Sequence, residues 1–160
     1  MSHRDDLLQA MGVGTEDLEA NRTGVLSPRQ ARQLVHSGIR NLLASLVIGV
    51  ILAAILAFVA SKPLKPVQWI LAGVLALAAL AVGIVDLRRT RGAATVGRVE
   101  CLAGPIQVAS RGKQGWHLTV AGKTFRLPVR PWQLKNDAVY RVYVAPLADR
   151  IVAMEPDGWT

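Results

Sequence analysis

The 160-residue chain has few of the residues on which catalysis and metal binding depend. It contains one cysteine, three histidines and only 5% aromatic residues. The single cysteine, Cys101, excludes an intrachain disulfide and a multi-cysteine zinc site. Charged residues make up 19% of the chain, below the ~25% of a typical soluble domain. Together with 51% hydrophobic residues, this composition excludes both an ordinary soluble domain and a disordered acidic tail.

Motifs for catalysis and nucleotide binding are also missing. The chain has neither GxxxxGK[ST] nor GxGxxG, so it lacks the usual cradle for phosphates. Nucleophilic catalysis needs a nucleophile and a base within hydrogen-bond reach, and we expect His117 to face solvent on a strand while Cys101 is buried as a small apolar residue. We therefore predict no catalytic, cofactor-binding or metal-binding residue, and a protein that is not an enzyme.

One stretch superficially resembles a calcium loop. Residues 19–30 place Glu19, Asn21 and Thr23 at early ligand positions and Gly24 at the sharp turn. Calcium loops close with a bidentate carboxylate, but Gln30 stands at that position. We interpret the stretch as a turn that ends in a helix cap.

Two apolar runs dominate the middle of the chain. Residues 42–60 and 67–85 carry no charge, and as helices each covers roughly 28 Å, close to the ~30 Å hydrocarbon core of a bilayer. The connecting loop 61–66 contains two prolines, which end one helix and start the next. The sequence therefore predicts a two-helix transmembrane hairpin over residues 41–91.

Basic residues flank the hairpin unequally. The loop contains two lysines, whereas the flanking residues 22–41 and 86–98 contain four arginines each: Arg22, Arg29, Arg32, Arg40, Arg88, Arg89, Arg91 and Arg98. By the positive-inside rule this bias places both termini in the cytoplasm. We predict a plasma (inner) membrane protein with two spans.

Small residues recur along each apolar run. Such stripes let two helix backbones approach closely in lipid. The stripes either pack against each other within the hairpin or drive homo-oligomerisation, and the sequence leaves both open. The candidate packing residues are Gly49, Ala53, Ala57, Ala72, Ala76, Ala79 and Gly83.

The N-terminal segment, residues 1–40, has a helix start of its own. Ser27, Pro28 and Gln30 match a capping box with proline at the first helical position. The helix that follows is basic and amphipathic, with Arg29, Arg32 and Arg40 on its polar face. It either lies among anionic headgroups or packs against the C-terminal domain.

Residues 92–160 show alternating apolar residues and frequent turn signals. We predict six strands near residues 95–102, 106–109, 115–120, 123–127, 138–145 and 150–155, with a helical turn near 132–134. The two-residue turn Ala121-Gly122 sets a register that puts Trp116, Leu118, Phe125 and Leu127 on one buried face. The predicted fold is α+β: the hairpin, then a small antiparallel β-meander or barrel.

Three stretches carry a resemblance to a family: residues 140–146 (YRVYVAP), 151–155 (IVAME) and 21–27 (NRTGVLS). They resemble bacterial integral membrane proteins that combine a two-helix hairpin with a small cytoplasmic β-domain. The resemblance implies the same architecture and no assigned activity, catalytic residue or cofactor.

These observations favour a non-enzymatic membrane protein whose cytoplasmic β-domain is a tethered protein-interaction or assembly module. The alternative is a module that binds or senses anionic lipid. The expected partners are the bilayer and either an unidentified protein or a second copy of the chain, whereas no recognition helix or stacking motif favours nucleic acid. The possible headgroup contacts are Arg29, Arg32, Arg40, Arg88, Arg89, Arg111 and Lys113; a solvated polar face is the other interpretation of those on the β-domain.

Overall fold

A computed structural model describes residues 3–59, 66–110, 116–127 and 134–157. These residues form four helices followed by six strands, so the predicted α+β class is confirmed. The helices are α1 (His3–Met11), α2 (Thr15–Arg22), α3 (Pro28–Val59) and α4 (Pro66–Val96), and the strands are β1 (Glu100–Pro105), β2 (Gln107–Ser110), β3 (Trp116–Val120), β4 (Lys123–Arg126), β5 (Val139–Ala145) and β6 (Arg150–Pro156).

The chain divides into two compact units. One contains residues 1–31 and 93–160, and the other contains residues 32–92. The first unit, here called the α/β unit, is thus assembled from both ends of the chain. The second, here called the hairpin unit, is inserted between them in sequence.

The strands of the α/β unit form two antiparallel three-stranded sheets, with the orders β1-β5-β6 and β2-β3-β4. The described strands do not close into a barrel, which corrects that part of the prediction. The first strand was also predicted too early, since residues 95 and 96 belong to α4 and β1 begins at Glu100. The expected helical turn at 132–134 falls largely outside the described residues.

The β3–β4 hairpin has the expected turn and register. Ala121 and Gly122 both have positive φ, as a type I′ turn requires. Leu118 pairs with Phe125, and both are buried. Trp116 is 43% exposed, however, which contradicts its predicted burial. It is the first residue of β3 and is not among the residues of the apolar cluster.

One apolar cluster joins the two sheets to the N-terminal segment. Leu118 and Phe125 from one sheet pack with Val142 and Met154 from the other, and Leu7 of α1 belongs to the same cluster. Leu7 and Met154 are completely buried. The N-terminal segment therefore completes the core of the β-domain.

The predicted capping box begins α3. Ser27 Oγ accepts a hydrogen bond from Gln30 N at 3.1 Å, and Gln30 Oε1 accepts one from Ser27 N at 3.3 Å. Gln30 Nε2 also donates to the Val152 carbonyl at 3.2 Å, which ties the helix start to β6. The interpretation of residues 19–30 as a turn was incomplete, because helix α2 continues to Arg22.

Candidate functional site

The two long helices of the hairpin unit meet at small residues. A Cβ atom added to Gly83 would lie 3.1 Å from Leu42 Cα and 3.3 Å from Ser45 Cβ. Further along, a Cβ at Gly49 would lie 3.8 Å from Ala76 Cα. Backbones approach this closely only where side chains are minimal. The structure thus places part of the predicted stripe inside the hairpin.

The line of contact between α3 and α4, here called the helix–helix seam, continues beyond the apolar runs through polar contacts. Asn41 Nδ2 donates a hydrogen bond to Asp86 Oδ2 at 2.9 Å. One turn away, Gly38 faces Thr90 and Leu87, leaving no room for a Cβ atom. Thr90 is fully buried and its hydroxyl donates back to the carbonyls of residues 86 and 87. The bond between Asn41 and Asp86 depends on the register of the two helices, which the sequence does not show.

The remaining predicted packing residues differ in burial. Ala72 is buried, and Ala53 and Ala79 are half-buried. The side chain of Ala57 is outside the described part of the chain. Homo-oligomerisation through any of these residues stays a prediction.

The outward surface of the hairpin unit is apolar. Leucine, isoleucine and valine side chains are exposed along both helices, and few residues of either run are buried. The most apolar 18-residue windows have mean hydropathies of 2.1 and 2.5. Both helices are long and apolar enough to span a membrane. A buried core helix of a soluble protein would show the opposite burial.

A basic groove lies on α3 beside the apolar surface. Its volume is about 480 Å³, and its described lining consists of residues from one helix face: Arg32, Gln33, His36, Ser37 and Arg40. Arg32, His36 and Arg40 recur every four residues, so they stack along that face. This is the polar face that the sequence predicted for the helix, and the structure keeps it exposed.

The other candidate headgroup contacts are more scattered. Arg88 and Arg89 are exposed on α4. Arg29 belongs to the α/β unit, where its Nη1 lies 3.9 Å from Asp17 Oδ2. Arg111 and Lys113 lie outside the described residues, so their predicted role stays untested.

The α/β unit contains a charged cluster that the sequence did not reveal. Arg22 Nε donates to Glu155 Oε1 at 3.1 Å, and the Tyr143 hydroxyl donates to the same oxygen at 2.7 Å. Glu155 and Tyr143 are buried, whereas Arg22 is partly exposed. Burial and the bond to Glu155 raise the pKa of Tyr143, and the bond to Glu155 raises the pKa of Arg22. The cluster fixes α2 to β6.

Cys101 and His117 are not placed as expected. Cys101 is exposed, because it lies on the face of β1 opposite Leu102, which packs on the core. Desolvation of its sulfur nevertheless raises the pKa of the thiol. His117 is half-buried, and its Nδ1 is buried with no hydrogen-bond partner among the described residues.

Acidic and polar side chains near the start of α3 serve structural roles. Ser27 Oγ donates to Asp17 Oδ1, and Asp17 Oδ2 accepts from the Gly14 backbone at 3.0 Å. Asn21 is buried beside this region, and its side-chain amide has no partner in the described structure. Within the described ranges, no three histidine, cysteine, aspartate or glutamate residues are grouped as a metal site requires.

Comparisons with protein-family models, with curated proteins and with solved structures each found no match for the chain. The resemblance inferred from residues 21–27, 140–146 and 151–155 therefore stays a prediction. Function can therefore be argued from two parts of the structure, the hairpin unit and the α/β unit.

Proposed function

We propose that the chain is an integral membrane protein whose helix hairpin anchors a cytoplasmic α/β unit, and that this unit is a protein-interaction or assembly module without enzymatic activity. The exposed apolar surface of α3 and α4 supports the proposed membrane anchoring. In water such a surface is costly, since burying apolar area contributes roughly 25 cal/mol per Å². A bilayer covers it without further protein.

The proposed orientation follows from charge. The arginines at the ends of the two apolar runs outnumber the lysines of loop 61–66, which favours a cytoplasmic location for both termini. A reporter that fluoresces only in the cytoplasm, fused to Thr160, tests this orientation. We expect a bright fusion. A dark fusion together with an active periplasmic reporter at the same position would reverse the orientation.

Trp116 supports the interaction role. It is exposed on a sheet whose other large apolar residues are mostly buried, and tryptophan is enriched at protein interfaces and at their hot spots. Trp116 is not among the residues of the apolar cluster that contains Leu118 and Phe125. We therefore propose that Trp116 contacts a protein partner, either a second copy of the chain or another protein.

Site-specific photocrosslinking in cells tests the partner role. A photoreactive residue at Trp116 is expected to give one discrete adduct, whereas the same residue at Thr124, exposed on β4, is expected to give none. An adduct of twice the chain mass identifies a homo-oligomer. Equal labelling at both positions, or no adduct at Trp116, argues against this surface as an interface.

Anionic-lipid binding is the second candidate function. The groove lined by Arg32, His36 and Arg40 favours it, because two arginines and a histidine stack along one exposed helix face. Headgroup phosphates are attracted by such clusters next to a membrane span.

A further inference from the structure

The basic groove continues into an apolar strip on the same helix face. Starting from Arg40, positions three, seven and eleven residues onward return to the same side of an α-helix. These positions are Leu43, Val47 and Ile51, whose residues are 58%, 53% and 51% exposed. One face of α3 therefore changes from cationic to apolar within one turn.

This face is separate from the helix–helix seam. Gly38 and Leu42 contact α4, and by helical geometry they lie on the side of α3 opposite His36 and Arg40. The cationic and apolar parts of the strip are thus both directed away from α4. A ligand bound there needs no rearrangement of the hairpin.

The dimensions match a phospholipid. His36 and Arg40 are one turn apart, about 6 Å along the axis, within the roughly 5–8 Å that the polar region occupies in each leaflet. Arg32 lies a further turn, about 6 Å, toward the aqueous side. From Arg40 to Ile51 the helix advances about 16 Å, close to the ~15 Å depth of one hydrocarbon leaflet.

From this geometry we propose that the face of α3 formed by Arg32, His36, Arg40, Leu43, Val47 and Ile51 binds one anionic phospholipid. The phosphate headgroup occupies the groove, and an acyl chain lies along the apolar strip. The inference rests on the proposed insertion of the hairpin with Arg40 at the cytoplasmic leaflet. It differs from non-specific attraction of anionic lipids by all basic residues near the membrane, because it assigns one lipid to one helix face.

The apolar strip favours a lipid over a free phosphate compound. A soluble phosphate would use only the cationic half of the face. A phospholipid also covers the three exposed aliphatic side chains, and charge complementarity selects an anionic headgroup over a zwitterionic one.

The test uses the full-length chain in non-ionic detergent, titrated with phosphatidylglycerol or phosphatidylcholine, with bound lipid counted by native mass spectrometry. The wild-type chain is expected to bind one phosphatidylglycerol in preference to phosphatidylcholine. The double variant Arg32→Gln/Arg40→Gln is expected to lose roughly 25-fold in affinity, about five-fold for each arginine. The single variant Arg40→Gln, expected to lose about five-fold, provides the test if the double variant does not fold.

The matched control is Arg88→Gln/Arg89→Gln, which removes the same charge from exposed positions on α4. We expect it to change the affinity by less than about two-fold. Equal losses in the two double variants would show a diffuse basic belt and overturn the proposed site. Absence of any preference for phosphatidylglycerol would overturn it as well, and so would equally tight binding of glycerol 1-phosphate.

Alkaline carbonate extraction of cell membranes separates this inference from the proposed function. A chain that stays in the membrane but shows no lipid preference contradicts only the lipid site. A chain released by carbonate contradicts the proposed insertion, and the lipid site fails with it.

Discussion

Arg22 and Glu155 form an ion pair between the N-terminal helices and the last strand. The guanidinium reaches both carboxylate oxygens, with Nε 3.1 Å from Oε1 and Nη2 bonded to Oε2. The carboxylate is almost fully buried, whereas Arg22 has 45% of its side chain exposed. Because the tyrosine hydroxyl of residue 143 donates to the same carboxylate, loss of either donor leaves a buried charge with fewer partners.

Replacing Arg22 by alanine is expected to destabilise the chain by about 1–2 kcal/mol, since hydrogen bonds to charged groups contribute more than neutral ones but solvent screens the exposed part of Arg22. The matched control is Arg29→Ala, which removes a longer contact, 3.9 Å, between the exposed Arg29 and the buried Asp17. Asp17 keeps its hydrogen bonds from Ser27 Oγ and Gly14 N, so stability should change by less than about 0.5 kcal/mol. Denaturant unfolding of the two variants checks the difference. Equal effects would mean that the Glu155 pair contributes no more than a surface contact.

Alkaline pH is expected to destabilise the α/β unit through Tyr143. Its pKa is raised from 10.0 by burial and by the bond to Glu155, so the unfolded chain loses the phenolic proton before the folded chain does. Above about pH 10 the unfolded state binds fewer protons, and the free energy of unfolding therefore falls; below that pH this contribution is constant.

Unfolding measured from about pH 8 to about pH 11 checks this dependence. Because burial also raises the pKa of the Cys101 thiol, the comparison is made in a Cys101→Ser background, where Tyr143→Phe is expected to flatten the decrease. A decrease that is identical with and without the Tyr143 hydroxyl would assign it to other groups.

Two glycines of α4 provide a matched test of the helix–helix seam. Gly83→Ala places its Cβ 2.9 Å from Leu42 Cδ1 and 3.1 Å from Leu42 Cα, and overpacking of this kind costs about 1–3 kcal/mol. At Gly73 an added Cβ meets nothing within 4 Å in the described structure. Gly73→Ala should therefore be neutral or slightly stabilising, because alanine has the higher helix propensity.

Thermal unfolding of the two glycine variants in detergent measures the contrast. Close packing of α3 and α4 at Gly83 is contradicted if Gly73→Ala lowers the unfolding temperature more than Gly83→Ala does.

Leu7→Ala is expected to destabilise the α/β unit by about 2–5 kcal/mol, because it removes a fully buried side chain from the shared cluster. Gln9→Ala, at an exposed position of the same helix, serves as the control and should have little effect. Hydrogen exchange of β6 amides in the full chain measures this destabilisation, since α1 packs against β6. Unchanged protection in Leu7→Ala would show that α1 is dispensable for the core.

Local patterns predicted local structure well. Ser27, Pro28 and Gln30 specified the start of α3, and Ala121-Gly122 specified a turn and the pairing of Leu118 with Phe125. The apolar runs identified both long helices. In each case the signal and the structure it specifies lie within a few residues of each other.

Contacts between distant segments were not predictable in the same way. Arg22 and Glu155 are separated by most of the chain, and no pattern in either segment indicates the other. Trp116 lies on the same face of β3 as the buried Leu118, but its exposure depends on tertiary packing that the alternation of apolar residues does not show. The end of α4 was also missed, because residues 86–96 combine arginines with small residues and carry no apolar stripe.

The groove on α3 was predicted in part. The four-residue spacing of Arg32, His36 and Arg40 was visible in the sequence, but their grouping in an open groove that leads onto exposed aliphatic residues required the helix to continue unbroken to Val59. The predicted domain boundary, between residues 40 and 41, falls within that helix.

The insertion of the hairpin unit between the two halves of the α/β unit has a consequence for biosynthesis. Leu7 leaves the ribosome long before Met154, and both apolar helices are synthesised in the interval. The packing of α1 on β6 and the Arg22–Glu155 pair of α2 therefore cannot form until translation is almost complete. A chain terminated before β6 leaves Leu7 without the strand on which its helix packs.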